Sequence, residues 1–328
     1  MQENTGIKFL VLIVLLFIAG YLSLFFAGSE SITVSELTLN NFIFWEIRFP
    51  KTLTAILAGS TLSAAGLILQ IIFRNPLAGP YVLGISSGAS LMVSISILAG
   101  GSLNLLSNFF IGKSFIVVSA IAGSILVTTI ILAISKKVNS SVILLLIGLM
   151  ISQICGALQA GLEYFSDATS LKSFVTWGMG SLANTTNLDL LIYLPIALVS
   201  LLGLLFFIKP LNALLLGENY SQNLGVNFNS SRFYLIFISS VLTGLTTAFC
   251  GPIAFVGIAV PILSRMIFKS SKQQLHLASC LLLGSIILLF SDTLANTLIK
   301  NISLPINMLT TFIGAPLVIY LMFKNKSW

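Results

Sequence analysis

Charged residues divide this chain into long apolar runs. Lys8 is followed by an uncharged run from Phe9 to Ser29. A helix needs about 20 apolar residues to cross the hydrocarbon core of a bilayer, and a signal-peptide core is only about 7–15 residues long. The run therefore predicts a first membrane span at about 9–28. Between Lys51 and Arg74 lies a second, at about 52–73. The uncharged stretch 75–112 is too long for one helix. It predicts a third span at about 83–100 and a Gly/Ser/Asn loop after it. Further spans follow at about 114–135, 142–164 and 190–208, with a short apolar piece at 173–182. The stretch 233–264 is again too long, but Gly251-Pro252 cuts it into spans at about 233–250 and 254–269. The last two are predicted at about 274–297 and 305–323. Ten spans leave only short loops, so residues 1–328 read as a single transmembrane domain of an all-α integral membrane protein.

Composition agrees. Hydrophobic residues make up 57% of the chain and charged residues 8%, against roughly 25% charged in an average soluble domain. This excludes a soluble enzyme, a nucleic-acid-binding module and a disordered chain. The net charge of +7 is spread singly between apolar runs, so it reports orientation rather than a nucleic-acid footprint. With a cytoplasmic N-terminus, eleven of the 16 Lys and Arg residues fall inside. Five (Arg48, Lys51, Lys113, Lys172 and Lys300) fall outside. The positive-inside rule then predicts both termini in the cytoplasm. Cys155, Cys250 and Cys280 sit in apolar runs with no metal or disulfide spacing and read as buried fillers. His276, the lone histidine, reads as a solvated end residue beside a charge cluster.

Small residues recur every four positions at Ala55, Gly59 and Ser63, and again at Gly148, Ser152, Gly156 and Ala160. This spacing lets membrane helices approach closely. Three enzyme-like patterns fail on context. Gly84-x-Ser86-x-Gly88 opens a membrane helix and has no His–acid pair to activate the serine. Gly112-Lys113-Ser114 has Ser107 where a phosphate-binding loop needs its first glycine. Gly178-x-Gly180-x-x-Ala183 lacks the βαβ unit of a dinucleotide site. No span centre carries a clear ionisable group of the kind ion-coupled carriers use. Asp292, toward the outer end of span nine, is the nearest and reads as interfacial.

Four segments are unusual for plain membrane anchors. Arg48-Phe-Pro-Lys51 places two cations at the outer mouth of span two. Phe73-Arg-Asn-Pro-Leu-Ala-Gly-Pro80 breaks the chain at membrane depth, which is tolerated only inside protein or against a cavity. The segment from Leu216 to Val226, in the large cytoplasmic loop at about 209–232, reads as a short amphipathic helix closed by Gly225. Gly251-Pro-Ile-Ala-Phe-Val-Gly-Ile-Ala-Val-Pro261 bends and shortens span eight.

Together with Leu57-Ala-Gly59, Leu83-Gly-Ile-Ser-Ser-Gly88, Trp177-Gly-Met-Gly180, Leu304-Pro305 and Ile313-Gly-Ala-Pro316, these segments resemble one family. It is the permease subunit of type II ABC importers for ferric siderophores, haem and cobalamin. The resemblance runs from about residue 40 to 322. It implies a ten-helix subunit that pairs with a second permease copy or a paralogue. It also implies two separate ATPase subunits, which use ATP and Mg, and an extracytoplasmic substrate-binding protein. This chain itself would bind no cofactor or metal and catalyse nothing. Arg48, Lys51 and Lys300 would be docking cations for the binding protein. Leu216, Gly217, Glu218, Leu224, Gly225 and Val226 would receive the ATPase. Asn75, Pro76, Leu77, Ser140 and Ser141 would flank the cytoplasmic gate, with Asn139 in the same turn. Gln153 and Gln159 would face the pathway, and Gly251, Pro252, Gly257 and Pro261 would shape span eight. Three positions depart from the family pattern. Ile262 replaces a histidine after Pro261, Asn296 replaces an arginine, and Ser303 replaces a glutamate before Leu304-Pro305. The reading from outside this class is a secondary transporter that works without ATP.

Overall fold

The computed structural model describes residues 5–26, 41–99, 109–135, 137–138, 140–216, 227–299 and 303–324. These residues are nearly all helical. α1 spans Thr5–Phe26, and α2 spans Phe49–Ile72 after a π-helical lead-in at Ile43–Arg48. α3 (Ile85–Ser94) continues as a π-helical turn, Ile95–Ala99. α4 is Phe109–Ser135, α5 Ser141–Phe165, α6 Ala168–Gly178, α7 Asn187–Phe206 and α8 Ile208–Leu216. α9 is Phe228–Cys250, α10 Val256–Phe268, α11 Gln273–Thr297 and α12 Ile306–Lys324.

Seven of these helices are long and apolar enough to cross a membrane. Three shorter apolar helices, at Ile85–Leu98, Val256–Phe268 and Ile306–Tyr320, occupy the places of the remaining expected spans. The apolar piece expected at 173–182 is the end of α6, a short helix opened by the Asp167 side chain.

α2 is the centre of the bundle. Its span is 89% buried, against 17% for α5 and 22% for α1. Burial this complete requires small residues, because lipid supplies no hydrophobic drive between helices and packing has to be close. At Gly59 a Cβ would strike the backbone of Gly284 on α11, and at Gly284 it would strike Gly59. Around this crossing Ser63 Oγ donates to Cys280 O at 2.7 Å and Ser285 Oγ to Ile56 O at 2.9 Å. Gly66 meets Gly257 on α10 in the same way, and Gly88 on α3 meets Gly123 on α4. Most buried hydroxyls find partners within the bundle, among them Thr61 with Thr246, Tyr193 with Thr246 and Thr54 with Thr185. That is the requirement for polar groups with no water at hand.

The ladder expected on α5 divides. Gly148 and Ser152 pack against Leu83 and Gly84, whereas Gly156 has nothing within 4 Å and Ala160 is exposed. Half the ladder serves the fold of this chain, and half stands open. Cys155, Cys250 and Cys280 are free and buried.

α7 starts with a capping box, in which Thr186 Oγ1 accepts from Asp189 N and Asp189 Oδ2 accepts from Thr186 N at 2.9 Å. Asp189→Ala removes half of it and is expected to cost about 1 kcal/mol. A lower midpoint of thermal unfolding in detergent checks this.

Candidate functional site

The two ends of the bundle carry different chemistry. At one end, α2 stops at the Phe73–Gly84 break. Gly84 sits at φ 76°, and Asn75 Oδ1 accepts from Leu77 N at 2.9 Å, making a local turn. Asn75 N returns to Gln70 O and Ile85 N to Pro80 O, so most of the freed backbone groups are rebonded. Gly257 abuts Pro80, and Gly79 abuts Ile258, which press α10 against the break. Phe73 and Ala78 share one apolar cluster with Val138 and Leu144. The two ends of this turn, Phe73 and Ala78, thus pack near the start of α5, while Leu77 between them packs against the α10–α12 cluster. Ser140 is the N-cap of α5, and Ser141 is its first residue.

A polar clasp behind the break went unread in the sequence. Arg265 Nη1 donates to Gln70 Oε1 at 2.6 Å, and Gln70 Nε2 donates to Ile258 O at 3.2 Å. Gln70 is buried and joins α2 to α10 twice. Lys8 Nζ donates to Ile267 O at 3.0 Å, tying α1 to the same place. His276 corrects its expectation. It is buried rather than solvated, with Nδ1 2.9 Å from Ser264 Oγ. Its Nε2 lies 2.6 Å from Ser270 O. A carbonyl only accepts, so Nε2 carries a proton.

α5 offers an open face. Leu146, Met150 and Ile154 are exposed along its first half, with Gln153 exposed among them. Farther on, Gly156 and Gly161 stand in open space. Gln159 is half-buried and its Nε2 has no partner. Gly217, Glu218, Leu224, Gly225 and Val226, expected to receive the ATPase, lie outside the described residues, as do Asn139 and Lys300. Leu216 ends α8.

At the other end, the two cations expected to dock the binding protein, Arg48 and Lys51, are turned inward. Arg48 is 5% exposed and donates to Leu24 O at 3.0 Å and to Phe25 O at 2.7 Å, closing the end of α1 onto α2. Lys51 is also 5% exposed, and its Nζ lies 3.0 Å from Asp292 Oδ2. Asp292 is correspondingly buried rather than interfacial. The exposed charges near this end include Glu46, Asp167 and Lys172. Asp167 is held below the usual carboxylate range by hydrogen bonds from the Ser170 backbone, then its side chain, and the Thr169 backbone.

The span-eight break lies beside them. Gly251 has φ 72°, and a Cβ there would strike Trp177 O. Phe255 takes φ 66°, Pro252 lies between, and Pro261 stands inside the short α10. Ser181 N donates to Cys250 O, Ile306 N to Gly180 O, and Ala254 N to Asn307 Oδ1. The ends of α6 and α9 and the start of α12 are thereby knitted into one junction. Among the described residues no group of His, Cys, Asp and Glu is arranged to hold a metal ion.

A family model described as the FecCD transport family matches residues 9–324. The chain belongs to the FecCD transport family. The hemin transport system permease protein HmuU of Yersinia pestis is 36% identical over 285 residues, covering 87% of this chain and 84% of the relative. The vitamin B12 import system permease protein BtuC of Salmonella paratyphi A is 32% identical over 99% of this chain and 97% of its own. A metal-chelate type ABC transporter, solved in an inward-facing conformation, superposes with a TM-score of 0.83 at 32% identity. That match covers 96% of this chain and 98% of the other. PsaBC from Streptococcus pneumoniae shares the fold, with a TM-score of 0.59 at 17% identity over 89% of this chain and 95% of its own.

This FecCD chain is therefore an integral membrane transport subunit. Two of its departures from the family pattern prove to be neighbours. Ser303 Oγ donates to Asn296 Oδ1 at 3.0 Å, so a neutral hydrogen bond stands where the resemblance implies an arginine and a glutamate. The third, Ile262, is buried with Ile258, Ala259 and Val318 between α10 and α12.

Proposed function

We propose that this chain is the permease half-site of an ATP-driven importer that carries a ferric chelate, a siderophore complex or haem, across the cell membrane. The full-length match to the FecCD family, joined to an α5 that leaves its own face open, is the observation that carries the reading. Ten crossings, with both termini in the cytoplasm, place Asn75-Pro76-Leu77 and Ser140-Ser141 at the inner mouth. A second copy, or a paralogue, covers the α5 faces and encloses the pathway between Gln153, Gln159 and their counterparts. Two separate ATPase subunits dock on the loop from Leu216 to Val226 and use ATP and Mg. A binding protein delivers cargo at the Lys51 end. Cobalamin is the second cargo reading, favoured by the match to BtuC along the whole chain.

Purification of the tagged protein in mild detergent tests this. The reading expects a stoichiometric ATPase subunit whose activity rises with cargo-loaded binding protein. The absorbance of that loaded protein distinguishes haem, cobalamin and ferric siderophore. A chain that purifies alone under several gentle conditions, and carries solute on an ion gradient, supports the secondary-transporter reading instead.

A further inference from the structure

The crossing of α2 and α11 is antiparallel and regular. Gly59 faces Gly284 and Ser63 bonds Cys280, so paired residue numbers keep a constant sum. Lys51 and Asp292 keep the same sum, at 3.0 Å. Each stands eight residues beyond the glycine contact, which at 1.5 Å per residue is about 12 Å along the helix. The glycine crossing is thus a pivot, and the ion pair fixes the splay of the two helices on one side of it.

The pair has a continuation. Asn296 Nδ2 donates to Asp292 O at 2.6 Å and to Asp292 Oδ1 at 3.2 Å. Ser303 Oγ donates to Asn296 Oδ1, and Leu304 N returns to Ala295 O at 2.9 Å. Leu304-Pro305 leads directly into α12, whose Ile306 N reaches Gly180 O beyond the exposed end of α6. Helix splay at Lys51 is therefore tied to the surface made by the end of α6 and the start of α12. For folding alone the ions are an unfavoured choice. A buried pair has to offset the desolvation of both charges, and an apolar pair of similar volume is often as stable or more so.

We propose that Lys51, Asp292, Asn296 and Ser303 form an internal latch that positions the outer ends of α2, α11 and α12 for the binding protein. Lys51 and Asp292 are then positioning residues rather than docking contacts. The proposal rests on the importer reading and its orientation.

The test uses the full permease–ATPase complex in proteoliposomes, with loaded binding protein outside and ATP inside. Lys51→Asp and Asp292→Lys are each expected to lower uptake about tenfold or more, since each leaves two like charges buried together. The double reversal, with the binding protein unchanged, is expected to return uptake to within about threefold of wild type. A double variant that assembles but transports no better than Lys51→Asp overturns the latch. So does rescue of Lys51→Asp by an acid-to-lysine change on the binding protein, which would make Lys51 a direct contact.

The apolar pair Lys51→Met with Asp292→Leu guards against simple misfolding. It is expected to keep its melting temperature yet raise the binding-protein concentration for half-maximal ATPase stimulation about threefold or more. An unchanged half-saturation and rate overturn the proposal. If the wild-type complex itself shows no uptake dependent on the binding protein, the importer reading fails before the latch is reached.

Discussion

Gly59→Leu is expected to yield almost no folded protein. The Cβ alone meets the backbone of Gly284, which has no side chain to swing aside, and leucine adds three more carbons. Overpacking a core usually costs about 1–3 kcal/mol, and more where backbone has to move. Here the whole α2–α11 contact has to separate, taking with it the Ser63 and Ser285 hydrogen bonds and the Lys51–Asp292 pair. Destabilisation of this size lowers abundance several-fold or more. Yield of monodisperse protein from detergent extracts is the measurement. Gly20→Leu is the control, because Gly20 on α1 has nothing within 4 Å and its replacement is expected to leave the yield unchanged. Equal yields for the two variants would contradict the packing described for α2.

Gln70→Leu is expected to have the second-largest effect. The side chain is buried and bonded on both its atoms, to Arg265 and to Ile258 O. Leucine fills a similar volume but leaves a guanidinium and a carbonyl short of a partner. Each orphaned buried group costs about 1–3 kcal/mol. The loss falls where α10 braces the Phe73–Gly84 break, so transport is expected to suffer along with stability. A lowered unfolding temperature together with reduced ATP-driven uptake checks this. Gln70→Glu, which offers Arg265 a carboxylate but loses the bond to Ile258 O, is expected to fall between leucine and wild type.

Much of the fold was legible because a bilayer enforces length and charge rules. Runs between charges located each apolar helix within a few residues, and Gly251-Pro252 marked the break that shortens α10. Small residues at Ala55, Gly59 and Ser63 identified a packing face, and α11 fills it. What the pattern lacked was direction and partner. Arg48 and Lys51 were correctly placed at a helix end, yet the sequence did not reveal that carbonyls of α1 and a carboxylate more than two hundred residues away receive them. Asp292 reads as interfacial and His276 as solvated for the same reason: each sits near an expected span end, and burial there is decided by neighbours remote in sequence. One signal was available. Lys51 and Asp292 are opposite charges at the outer ends of spans two and nine, a pairing that an apolar surrounding favours. The α5 ladder carries one spacing for two purposes, and only the fold separates Gly148, packed on Leu83, from Gly156, in open space.

The central claim is that this chain forms the pathway of an ATP-driven importer. Uptake into proteoliposomes tests it most directly, with permease and ATPase subunits reconstituted together, ATP sealed inside, and labelled ferric chelate presented on its binding protein outside. The account predicts uptake that requires both internal ATP and the binding protein, and that no ion gradient replaces. Uptake that persists without ATP and follows an imposed ion gradient would contradict it.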